Sequence, residues 1–99
     1  MKKAFKKSIA SEIPTFVYFS ASWCTTCKLI APTIQQLKEE LGDGIQFMEI
    51  DVDETPSLAK KYKVRSMPTL MIFKDKALLW RHSGIIQKAD LRTVIQNHI

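Results

Sequence analysis

Thr15-Phe16-Val17-Tyr18-Phe19-Ser20-Ala21-Ser22-Trp23-Cys24-Thr25-Thr26-Cys27-Lys28 is the stretch from which the rest of the chain can be read. Its first six residues are dominated by β-branched and aromatic side chains, the composition of a strand buried on both faces, and a parallel sheet follows from that. Beyond the cysteines, Ile30, Ile34, Leu37 and Leu41 keep helical spacing as far as Gly42, a residue type that commonly follows a helix end. Cys24 and Cys27 therefore stand where a buried strand passes into the longest helix. Pro32, inside that helix, denies a hydrogen bond to the Lys28 carbonyl and is expected to kink it.

Upstream, Phe5, Ile9 and Ile13 recur at four-residue spacing between Lys2, Lys3, Lys6 and Lys7. This predicts a short amphipathic helix with its lysines solvated and all three apolar residues packed inward. The basic start lacks the apolar stretch of about 7–15 residues that a secretory signal needs, because Ser8, Ser11, Glu12 and Pro14 interrupt it. A cytoplasmic location is expected on that basis, and an exported or membrane-tethered one if the chain is cut from a longer protein.

Downstream, Ile45 to Val52 reads as a second strand with an acidic exit, Asp51-Val52-Asp53-Glu54. Thr55 as N-cap and Pro56 in the first turn open a short helix to about Tyr62. Pro68 precedes the apolar run Thr69 to Phe73, Asp75-Lys76 forms a tight turn, and Ala77 to His82 returns antiparallel. Leu91, Val94, Ile95 and His98 mark one face of a last helix over 87–99. A strand–helix–strand crossover, a hairpin and a covering helix make an α/β fold, with a mixed sheet of about four strands and helices on both faces.

The 99 residues suit one compact domain spanning 1–99, and 45% hydrophobic with 25% charged residues is globular composition. No apolar run approaches the roughly 18 residues of a membrane span, so no membrane partner is expected. The net charge of +5 comes without any nucleic-acid motif, and the lysines are read as a solvated face rather than a nucleic-acid contact.

Two cysteines three positions apart at a helix start lie on one face, near enough for a disulfide if the first turn allows it. Cys24 would sit at the positive end of the helix dipole, which stabilises a thiolate and lowers its pKa below the free-thiol value of about 8.5. Cys24 is then the attacking sulfur on a substrate disulfide, and Cys27 resolves the mixed disulfide. A zinc site is the alternative, but there is no second cysteine pair, and His82 and His98 have no ligand-like spacing. Two inert buried thiols are another, which the strand–CxxC–helix context disfavours.

Phe19 to Lys28, Ile50-Asp51-Val52-Asp53-Glu54, Met67-Pro68-Thr69 and Gly84 together resemble the thioredoxin family, in order and separation, over nearly the whole chain. The resemblance implies that Pro68 is cis and packs beside the cysteines. It implies that the Met67 backbone pairs with an extended substrate segment, that Pro68 and Thr69 bind substrate with it, and that Trp23 and Gly84 line a shallow docking surface. Such a proline places no N–H beside the reactive sulfurs. No cofactor is expected; the implied partners are disulfide-bonded proteins and a thioredoxin reductase or similar donor, with the chain acting as a monomer.

The departures bear on mechanism. Thr25 and Thr26 stand where the family usually has Gly-Pro, and with Lys28 they set the surroundings in which thiolate and disulfide compete. Tyr18 stands at the family's buried acid and Glu49 at that acid's usual lysine partner, so Cys27 is expected to lose its proton to another group or to water. The family's first edge strand is expected to be missing or reduced. The leading function is reduction of protein disulfides through Cys24 and Cys27; an oxidase or isomerase, a non-catalytic binding module, or a metal or iron–sulfur centre held between two chains stand as alternatives.

Overall fold

The computed structural model describes residues 2–99; Met1, at the head of the basic stretch, lies outside them. The chain runs α1 (Lys2–Ile9), β1 (Thr15–Ser20), α2 (Thr25–Leu41), a 3-10 turn (Gly42–Gly44), β2 (Gln46–Asp51), α3 (Pro56–Lys61), β3 (Thr69–Lys74), β4 (Ala77–Ser83) and α4 (Lys88–Gln96). The four strands form one mixed sheet in the order β2-β1-β3-β4. β1 is parallel to β2 and antiparallel to β3, and β3 is antiparallel to β4.

Alternation along the strands divides the interior in two. Phe16, Leu70 and Ile72 meet Ile30, Ile34 and Leu37 of α2 and Leu91 and Ile95 of α4 on one face. Val17, Phe19, Ile50, Met71 and Phe73 meet Phe5 and Ile9 of α1 and Leu58 of α3 on the other. β1 is therefore covered on both faces, with Tyr18 alone half-buried.

α1 is shorter than its apolar spacing suggests. Phe5 is buried edge-on against Phe73 and Tyr62, with ring centroids 5.6 and 5.7 Å away. Ile13, expected on the same inward stripe, lies beyond the helix and is 46% exposed. The Ser11 hydroxyl accepts from the Ile13 N–H at 3.0 Å, which bends the chain out of helical register before Pro14.

Gly42 ends α2 at φ +60°, a conformation that favours glycine. Thr55 precedes α3 but its side chain caps nothing; instead the Asp51 carboxylate accepts from the Asp53 and Glu54 N–H groups at 2.8 and 3.3 Å. His98 falls past the end of α4, its Nδ1 against the Val94 carbonyl at 2.7 Å. The outer side of β2 pairs with no strand among the described residues.

Candidate active site

β1 ends beside the start of β3, with Phe19 opposite Thr69, so the cysteine turn and the proline loop meet at one end of the sheet. The turn closes with the Cys24 N–H donating to the Ala21 carbonyl at 3.1 Å. Cys24 is then the N-cap of α2 in extended backbone, and its Sγ accepts from the Cys27 N–H at 3.1 Å. A sulfur in the N-cap position takes the place of the usual cap oxygen, and the unpaired N–H groups of the first turn favour negative charge on it.

Cys24 and Cys27 are joined as a disulfide with Cα atoms 5.3 Å apart. They are 5% and 6% exposed and pack with Ala21, Val52 and Met67. The Thr26 hydroxyl lies 3.2 Å from Cys24 Sγ and donates to the Met67 carbonyl at 3.2 Å. Thr25 is exposed at the helix start, and Lys28 is exposed one turn on.

The Met67–Pro68 bond is cis, as the family likeness implied. Pro68 is buried, and its carbonyl accepts from the Gly84 N–H at 2.9 Å, tying the loop to the end of β4. Gly84 has φ +95° and open space where a Cβ would stand, so its backbone rather than close packing calls for glycine. Thr69 is fully buried; its hydroxyl donates to the Ser66 carbonyl at 2.7 Å and pairs with Ser83 Oγ at 3.1 Å, which fixes the loop from beneath.

Trp23 is 63% exposed, so it is not a core residue, and its Nε1 donates to Asp53 Oδ2 at 2.9 Å. That contact orients a large apolar ring in solvent beside the disulfide. Neither Asp53's hold on Trp23 nor the exposed Ile85 next to Gly84 was singled out from sequence.

A family model described as Thioredoxin matches residues 1–97. The chain belongs to the thioredoxin family. It is 37% identical over 100 residues to the thioredoxin of Bacillus subtilis, covering 98% of this chain and 96% of that one. With thioredoxin 1 of Synechococcus elongatus the identity is 35% over 96 residues, covering 96% and 90% of the two chains. The crystal structure of Malassezia sympodialis thioredoxin superposes with a TM-score of 0.89 at 29% identity, covering 97% of this chain and 84% of that one. The chain is thus a thiol–disulfide oxidoreductase with a Cys24–Cys27 redox centre, and membership implies disulfide substrates and a reducing partner in general.

Tyr18 stands where the family likeness implied a buried acid. Tyr18 is half-buried under α2, and its hydroxyl is pushed up to about 12 by burial first and by the neighbouring Glu49 carboxylate second. Tyr18 therefore stays protonated at any ordinary pH. Glu49, its register partner on β2, is exposed, and its Oε2 accepts from the Ser20 hydroxyl at 2.7 Å. A cavity of about 200 Å³ is lined by Ser20, Cys27, Lys28, Ala31, Glu49 and Asp51, among others. Among the described residues, no group of three or more His, Cys, Asp and Glu could hold a metal ion, and His82 rests against the Ile85 carbonyl.

Proposed function

We propose that the chain works as a reductant of protein disulfides. In the dithiol form, Cys24 attacks a substrate disulfide and Cys27 displaces the mixed disulfide, leaving the Cys24–Cys27 bond and two substrate thiols. The observation that carries this reading is the Cys24 sulfur at the N-cap of α2, receiving the Cys27 N–H at 3.1 Å, beside the exposed face of Trp23. An extended substrate docks against Trp23, the Met67-Pro68 backbone and the turn at Gly84, while Thr69 holds that loop in place. Thr25, Thr26 and Lys28 form the surroundings of the sulfurs, and a thioredoxin reductase or similar donor restores the dithiol. We assign residues 1–99 to one domain, acting as a monomer in the cytoplasm.

Insulin reduction with dithiothreitol tests the reading: the parent is active and Cys24→Ser is not, whereas equal rates overturn it. Equilibration of the couple with glutathione then fixes the direction. A potential near the thioredoxin value of about −270 mV supports the reductant, and one near about −120 to −180 mV assigns the chain to oxidation or isomerisation instead.

A further inference from the structure

The cavity beneath Cys27 holds a carboxylate that family position would not suggest. β1 contributes Tyr18 and Ser20 to the face under α2, and the parallel register sets Glu49 opposite Tyr18 and Asp51 opposite Ser20. Ser20 is buried, and its hydroxyl fixes the Glu49 carboxylate at 2.7 Å, at the wall of the 200 Å³ cavity that Cys27 also lines. That space accommodates several waters at about 30 Å³ each.

We propose that Glu49 is the proton acceptor for Cys27 in the step that releases substrate, acting through water in this cavity. The assignment rests on the exchange chemistry proposed above. The other candidates are less suited. Tyr18 keeps its proton. One oxygen of Asp51 already accepts two main-chain N–H groups. The remaining charged groups facing Glu49 are Lys28 in the same cavity and Lys38 in an adjoining one of about 270 Å³, both cations and unsuited to accept a proton.

The step balances as follows. With substrate held as a Cys24–S–S–R mixed disulfide, the Cys27 thiol passes its proton through water to the Glu49 carboxylate. The Cys27 thiolate attacks Cys24 Sγ, the Cys24–Cys27 bond forms, and the bond to R breaks with its electron pair leaving as RS⁻. A carboxylate is a weaker base than an alkyl thiolate, so the carboxylic acid is transient and its proton passes to solvent water or, where RS⁻ is an alkyl thiolate, to the departing group. Glu49 ends as it began.

Ellman's reagent separates the two cysteines. Reduced protein releases one nitrothiobenzoate when Cys24 attacks the reagent, and a second when Cys27 attacks the Cys24 adduct. For Glu49→Gln the first phase is unchanged. The second slows on the order of 100-fold near neutral pH, the lower end of what a positioned proton acceptor supplies, and then climbs about tenfold per pH unit toward the thiol range. Glu49→Asp recovers much of the rate, and Ser20→Ala slows the second phase partially. A second phase with parental rate in Glu49→Gln overturns the assignment, as does one slowed by the same factor at every pH. If the parent itself releases only one equivalent, it is the exchange reading that fails.

Discussion

The Thr26 hydroxyl has one proton and two acceptors within reach, Cys24 Sγ and the Met67 carbonyl, each at 3.2 Å. In the disulfide form it donates to the carbonyl. Once Cys24 becomes a thiolate, the charged sulfur is the stronger acceptor, and a hydrogen bond to an ion outweighs one between neutral groups. Thr26→Val keeps the shape and removes the proton, so the Cys24 thiol pKa should rise by about one unit, since a hydrogen bond to a charged group contributes about 1.5–3 kcal/mol and an exposed one falls at the lower end. Iodoacetamide alkylation rates across pH measure this, with Thr26→Ser retaining the parental value; an unchanged pKa in Thr26→Val removes the donor from the account. At this scale the cysteines were legible because their spacing and the strand before them are local. The Thr26–Met67 and Trp23–Asp53 contacts span 41 and 30 residues, and nothing local announces them.

Elements were legible where composition was one-sided. The β-branched and aromatic run Thr15 to Ser20 and the spacing of Ile30, Ile34 and Leu37 each admit one reading, and the structure has β1 and α2 there. Ends were less so. Ile13 continues the numerical spacing of Phe5 and Ile9, but a hydroxyl two residues before it captured its N–H and ended the pattern. The packing of α4 on α2 was invisible in sequence: Glu40 takes Arg92 through two hydrogen bonds at 2.9 and 3.0 Å and Lys88 at 3.2 Å. The Arg92 and Lys88 hydrogen bonds hold the Glu40 carboxyl down at about 2, below its ordinary 4.5. A depressed carboxyl stabilises the fold above its unfolded pKa and loses that contribution as pH falls through the folded value. Melting temperatures of the parent and Glu40→Gln should therefore differ by a constant amount above pH 4.5 and converge toward pH 2. The group is exposed, so the difference is small. Melting curves that stay parallel through this range would show that the helices are held by their apolar faces alone.

On the scale of the molecule, one sheet separates two cores that share no helix, α2 and α4 serving one face and α1 and α3 the other. The redox turn stands at the sheet's end, where β1 hands the chain to α2, so its position depends on β1 being anchored from both sides. The sequence carried this division only as alternation, Phe16 against Val17 and Leu70 against Met71; which helix covers which face is set by crossover handedness and loop length, which side-chain patterns do not encode. The separation has a measurable consequence. Ile50 and Ile95 are each fully buried, one in each core, with the sheet between them. Ile50→Val and Ile95→Val should each cost about 0.5–1.5 kcal/mol, the loss of one buried methylene and the small void it leaves. Sites without shared partners add to within about 0.3–0.5 kcal/mol, so the double variant should lose the sum of the two. Urea denaturation of the parent, both single variants and the double variant gives all four stabilities on one scale. An interaction energy well above about 0.5 kcal/mol would mean that strain crosses β1 and β3 from one core to the other, and that the cysteine turn responds to packing on either face.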